Sequence, residues 1–372
     1  MTDRADRSER PDPARFPIDD KRVYDAYIAG RRSAAIAAAV RAGLFDLLAG
    51  ADGATTEEQL REAMGWSPRG TRSMLDALTA MGFVEAVPGG FRPSPDACAY
   101  LTRGAEGSLW GLIDMEVDSF LSPAALLRSL EADRATVYGD EDPWEAHGAD
   151  PERARAFTAA MHSVSARPAA GVAERVDLAG TRRLLDVGGG SGALAIALAE
   201  ANPALECVIW DIPAVCPLAD EYVAAAGCSE RVRSLPGDMF AEPFPPGFDA
   251  VLLSQILHDW SFETGATLVG KAFDALPSGG RLLVHEKLVE DDGSGPLANQ
   301  LVHLDMLVWT EGQQYRVSEL TELLERTGFV GVERVRTAGY WSVVHGTRPR
   351  AELRRSSASR GPGSAGGAPR SA

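Results

Sequence analysis

The stretch RRLLDVGGGSG carries an apolar segment straight into Asp186-Val-Gly188-Gly189-Gly190-Ser-Gly192, and the alanine-rich ALAIALAEANP follows at once. A strand has to end there, the backbone has to turn with almost no side chains, and a helix has to begin. That combination is a strand–turn–helix unit whose bare backbone lets N–H groups approach a ligand at a helix N-terminus. The rest of this half agrees with it. ECVIWDIP, FDAVLLSQIL and GRLLVHEKL are continuous apolar runs that read as buried strands, with helical stretches such as FETGATLVGKAFDAL between them. From residue 182 the alternation predicts an α/β fold, a doubly wound and mainly parallel sheet with helices on both faces. No internal repeat is present.

The first third follows other rules. Residues 21–48 show apolar positions at helical spacing, rich in alanine, in helices that end at Gly50. ATTEEQLREAMG opens with Thr55 and Thr56 as N-cap candidates and Glu58 in the first turn, SPRGTRSMLDALTAMG is a helix stopped by Gly82, and FVEAV-PGG-FRPSP is a hairpin. Helix, helix, hairpin is a winged-helix pattern, and such modules can read DNA. The formal net charge of −16 argues against that, because it repels phosphate, and a packing or dimerisation role is expected instead.

With 372 residues the chain suits about two domains: 18–104 as a winged-helix-like dimerisation domain and 105–348 as a helical linker leading into the α/β domain. Residues 105–175 read as mostly helical with an interruption at YGDEDPWEAHGADPE; 1–17 and 349–372 read as disordered tails. No run of 18 apolar residues is present, and the N-terminus lacks the apolar stretch of a signal peptide. Cys98, Cys207, Cys216 and Cys228 form no CxxC pair and are expected to be reduced thiols of a cytoplasmic protein, with no membrane or nucleic-acid partner.

The glycine spacing leaves two cofactors open. Gly188-x-Gly190-x-Gly192 is the turn of an S-adenosylmethionine site, while Gly188-x-Gly190-x-x-Ala193 satisfies the relaxed dinucleotide fingerprint. Asp211 ends the next strand, where a carboxylate accepts from both ribose hydroxyls of either cofactor. Asp238 and Met239, in Gly237-Asp238-Met239-Phe240, suit an adenine amino group and ring face, or else a turn and a core. His258, in Leu257-His258-Asp259-Trp260, follows the fourth strand, and Glu286 ends the fifth, so both fall in the crevice where such sheets bind ligands. A carboxylate beside a histidine fixes its tautomer and raises its basicity.

Taken together, the winged-helix region, LLDVGGGSG, the acid at Asp211, GDMF, ILHDW and LPSGGRLLVHE resemble the S-adenosylmethionine-dependent small-molecule O-methyltransferases of plant caffeate type and bacterial antibiotic-pathway type, over residues 20–348. The resemblance implies a class I methyltransferase sheet of seven strands and an N-terminal domain that pairs two copies as a homodimer. It implies S-adenosyl-L-methionine held by Asp186, Gly188, Gly190, Asp211, Asp238, Met239 and Ser254. It makes His258 the general base, supported by Glu286 with Asp259 adjacent, and places Trp110, Met115, Phe120, Met161, His162, Met306 and Trp309 around a small aromatic acceptor, methylated on a hydroxyl. One position departs from the family: Gln314 stands where a second glutamate belongs, an amide that can orient an imidazole but brings no charge, with Glu311 three residues away. A related alternative is metal-assisted C-methylation of a 2-oxo acid, with His258, Asp259 and His303 as ligands.

Overall fold

A computed structural model describes residues 18–116, 123–136 and 150–350. The expected tails at 1–17 and beyond 350, most of the interruption around 138–152, and Phe120 lie outside the described residues.

In the N-terminal region, helix Lys21–Ala42 stops at Gly43, whose φ of +77° only glycine adopts cheaply, and Leu44–Ala49 continues at a new angle to Gly50. Thr56, not Thr55, caps helix Glu57–Met64. Its hydroxyl accepts the Gln59 N–H at 3.2 Å while the Gln59 side chain accepts the Thr56 N–H at 2.8 Å. Thr55 pairs instead with Phe91. Helix Pro68–Ala80 and the antiparallel hairpin β1 (Val84–Val87) and β2 (Gly90–Pro93) complete the winged-helix pattern around Leu44, Phe45, Leu48, Leu60, Leu75 and Leu78.

The second region is a seven-stranded sheet, as the resemblance implied. Its strands are β3 (Arg183–Val187), β4 (Glu206–Asp211), β5 (Val232–Pro236), β6 (Ala250–Ser254), β7 (Arg281–Glu286), β8 (Val330–Arg336) and β9 (Ser342–Thr347), in the order β5-β4-β3-β6-β7-β9-β8. The first five are parallel; β9 runs antiparallel between β7 and β8. Each face of the sheet carries its own buried cluster, one including Val187, Leu253, Leu282 and Tyr315, the other Leu184, Ile209, Leu252 and Leu283. This is the alternation expected of strands apolar on both sides. Strand order reverses between β3 and β6, so the crevice at their carboxyl ends is the ligand-binding position of such sheets. Helix Pro151–Arg175 packs on helix Ala193–Ala201 and on Trp110–Glu116, walling the crevice from the N-terminal side. No helix among the described residues is long and apolar enough to cross a membrane.

Candidate active site

Between the end of β3 and helix Ala193–Ala201, Gly188, Gly190 and Gly192 have φ of +63°, +57° and +76°. A Cβ on Gly188 would stand 2.5 Å from Ile256 Cδ1, and one on Gly192 would stand 2.3 Å from Ile209 Cδ1. Conformation and space both demand glycine here. Asp186, at the base of the turn, is 1% exposed, with the Ala195 N–H turned toward its carboxylate. Burial, with the Asp211 charge adding to it, pushes its carboxyl up to about 7. A buried acid beneath a bare backbone cradle has the chemistry to meet a cationic or donor-bearing ligand. Asp211 accepts the N–H groups of Gly190 at 2.8 Å and Ile212 at 2.7 Å, and burial lifts it to about 6 against those two donors.

His258 lies in the short turn Leu257–Asp259 after β6. Its Nδ1 is 2.5 Å from Glu286 Oε2, and Glu286, fully buried at the end of β7, accepts the Leu257 N–H at 3.1 Å with its other oxygen. Asp259 Oδ1 lies 3.5 Å from His258 Nε2. Burial opposes a charge on His258, but the Glu286 and Asp259 carboxylates outweigh it and lift the imidazole up to about 9. Burial raises Asp259 to about 6, with His258 pulling the other way. Just before this turn Gln255 holds φ +57°, unusual for a side-chain-bearing residue, while its Nε2 donates to Ser165 Oγ at 2.8 Å.

One cavity of about 490 Å³ joins these pieces. Asp186, Gly188, Gly190, Asp211, Asp238, Met239, Ser254, His258, Asp259, Met115, Met161, Met306 and Trp309 all line it. Asp238 and Ser254 are also engaged elsewhere, and two of the expected residues lie outside the cavity. Asp238 is exposed, and its Oδ1 accepts the N–H of Phe240 at 2.7 Å and of Ala241 at 3.2 Å, so part of its carboxylate is a turn former. Ser254 gives its hydroxyl to a bond of 2.9 Å with His285 Nδ1, a buried imidazole kept neutral by desolvation. Trp110 does not line the cavity: it packs on the N-terminal core, its indole donating to the Val40 carbonyl at 3.1 Å. His162 is absent from the lining too, bonded to Ser191 Oγ at 2.8 Å and stacked on Tyr222.

Gln314 does not orient His258; the second carboxylate on the imidazole belongs to Asp259, and Glu311 is exposed. The metal alternative also loses its geometry. His303 Nδ1 sits 3.2 Å from the Gln314 carbonyl, and among the described residues no group of three His, Cys, Asp or Glu side chains could hold a metal ion. Sequence reasoning missed Trp210, which is why residue 237 is glycine: a Cβ there would lie 1.9 Å from the indole Nε1. It also missed Glu116, Lys287 and Asp305, which bring charge to an otherwise apolar end of the cavity.

The glycine turn, Asp211 and the His258–Glu286 pair converge at the switch point of a sheet that ends in a reversed hairpin. The O-methyltransferase domain family matches residues 124–330, and its dimerisation domain matches 26–103. A 3-hydroxy-5-methyl-1-naphthoate 3-O-methyltransferase of Streptomyces sahachiroi is 38% identical over 317 residues, 84% of this chain and 91% of that protein. An N,N-dimethyltransferase of Streptomyces rimosus is 33% identical over 83% of this chain and 91% of its own length. The solved human N-acetylserotonin methyltransferase in complex with SAM matches with a TM-score of 0.79 at 26% identity, covering 93% of this chain and all of that one. This chain belongs to the S-adenosylmethionine-dependent O-methyltransferase family.

Proposed function

We propose that the protein methylates a phenolic hydroxyl of a small aromatic secondary metabolite, with His258 as general base. The observation that carries this reading is the 2.5 Å contact between His258 Nδ1 and Glu286 inside the cavity. Glu286 holds the proton of neutral imidazole on Nδ1, which leaves the Nε2 lone pair to take the acceptor's proton. Asp259, 3.5 Å from Nε2, then stabilises the imidazolium. The names of relatives support the acceptor class: a hydroxynaphthoate O-methyltransferase and a tetracenomycin polyketide 8-O-methyl transferase.

The residues fit S-adenosylmethionine, since Asp186 is a buried acid lining the cavity and the glycine turn beside it lacks side chains. Asp186 and the turn suit its amino-acid end, Asp211 its ribose, and Met239 with the second oxygen of Asp238 its adenine. Bound there, it supplies an electrophilic methyl on a sulfonium. A phenol of pKa ~10 is about three units from ionised at pH 7, or about 4 kcal/mol. The Glu286 and Asp259 carboxylates raise His258 toward the range of that phenol, so once the imidazole is neutral the transfer within the site is nearly balanced. Met115, Met161, Met306 and Trp309 give the apolar walls that suit a flat ring and exclude water.

The N-terminal domain pairs two copies in this reading. Val23, Tyr24 and Tyr27 on helix Lys21–Ala42 are 73%, 55% and 65% exposed, an apolar face that a second copy covers. Four free cysteines suit a reducing cytoplasm. The test of the reaction is incubation with isotope-labelled methyl donor and a panel of phenols, naphthols, amines and 2-oxo acids, with the methylated atom located by NMR. Label on a phenolic oxygen is expected; label confined to carbon or nitrogen refutes the reading.

A further inference from the structure

Gln314 is 1% exposed, and neither its Oε1 nor its Nε2 has a hydrogen-bond partner. A buried amide left unpaired is a standing cost that native proteins avoid unless something outside the fold meets it. The backbone around it is pinned from two sides. The Val289 N–H donates to the Tyr315 carbonyl at 3.0 Å, three residues beyond Glu286. A Cβ on Gly312 would stand 2.1 Å from the His258 carbonyl oxygen, so that segment lies directly on the His258 turn. Gln314 is therefore held between the two elements that carry His258 and Glu286, and it lines their cavity. The groups on the imidazole are Glu286 and Asp259, so the amide is spare.

We propose that Gln314 reads a carbonyl oxygen placed ortho or peri to the hydroxyl that is methylated, its Nε2 donating to that oxygen. This rests on the O-methylation reading and narrows its acceptor. In such an acceptor the carbonyl shares the hydroxyl's own proton until His258 removes it. Two electron-rich oxygens are then left side by side, next to the carboxylates of Glu286 and Asp259. A third carboxylate at position 314 offers only lone pairs, whereas an amide offers two N–H donors. A glutamate at this position would repel that carbonyl, whereas the Gln314 amide hydrogen-bonds to it. It leaves a plain phenol, which has no such oxygen, little affected.

The test titrates 1-hydroxy-2-acetonaphthone and 1-naphthol into the full chain loaded with S-adenosylhomocysteine, for the wild type, Gln314→Met and Gln314→Glu. The wild type is expected to favour the ketone by about tenfold, the usual worth of pairing a buried polar group. Gln314→Met should erase that preference, Gln314→Glu should reverse it, and 1-naphthol should bind all three within about twofold. A preference that survives in both variants, or an equal loss for both ligands, overturns the proposal. Binding is read without turnover, so a methyl later found on carbon or nitrogen defeats the O-methylation reading while leaving the carbonyl-reading role of Gln314 separately decided.

Discussion

Glu286 uses both carboxylate oxygens within the same turn: one meets His258 Nδ1 at 2.5 Å, the other takes the Leu257 N–H at 3.1 Å. One buried side chain thus sets the height of the turn and the tautomer of the imidazole together. Glu286→Ala removes both functions, and the stranded Leu257 N–H should cost about 1–3 kcal/mol of stability, read from urea unfolding. Glu286→Gln should keep most of that stability but lower turnover, because the amide holds the ring without stabilising its charge.

His258 rises to about 9, so at neutral pH the imidazole begins protonated and cannot act as a base. With a phenol acceptor, kcat/KM should therefore climb with pH and level off near 9. In Glu286→Gln the lost carboxylate lets the pKa fall, and that limb should move to lower pH. A wild-type profile flat between pH 6 and 9 would exclude His258 as the base.

His258→Ala should lower turnover by about 10²–10⁴, the usual worth of general-base catalysis, and leave cofactor affinity nearly unchanged. Partial recovery is expected near the acceptor's own pKa, where phenolate forms unaided. His303→Ala, its ring bonded to the Gln314 backbone, should keep activity within about threefold in excess chelator. Loss of activity in both variants, with no recovery at high pH, would revive the metal-assisted route.

Asp211→Ala should weaken S-adenosylmethionine binding by about 1–3 kcal/mol in calorimetric titration. The change also frees the Gly190 N–H that Asp211 now accepts at 2.8 Å, so the turn itself should loosen. Gly192→Ala is harsher, because positive φ and the Ile209 side chain both oppose a Cβ there. It should cost at least about 1–2 kcal/mol of stability through backbone strain alone.

Light scattering at micromolar concentration should give twice the chain mass. Replacing Val23, Tyr24 and Tyr27 with serine should shift it toward the monomer, because those side chains are exposed on one protomer.

The sheet's centre was legible because its signals are local: an apolar run, a set of glycines at positive φ, a helix. β8 was not. VGVERVR is an edge strand with no buried residue and an irregular register between Val330 and Glu333, so period and burial both fail there. Trp110 and His162 were expected in the cavity because an aromatic side chain reads the same in a core as in a pocket; only tertiary packing separates them. Asp238 shows the opposite ambiguity, since its carboxylate belongs to a turn and a cavity at once. Thr56 and not Thr55 became the cap because Thr55 is spent on Phe91, a partner 36 residues away in sequence. The unpartnered amide of Gln314 had no sequence signal beyond its departure from the family.

β9 pairs with the whole length of β7, setting Ser342 opposite Glu286, and only then does β8 find its place outside it. During synthesis the ribosome delivers β7 and the His258 turn long before β9 emerges. Until then Glu286 lies on an open sheet edge, wet on the side that β9 later seals. The surroundings of the proton-handling pair are therefore complete only with the last strand of the sheet. A chain cut short before Ser342 would leave Glu286, and with it the His258 pair, on an open edge of the sheet.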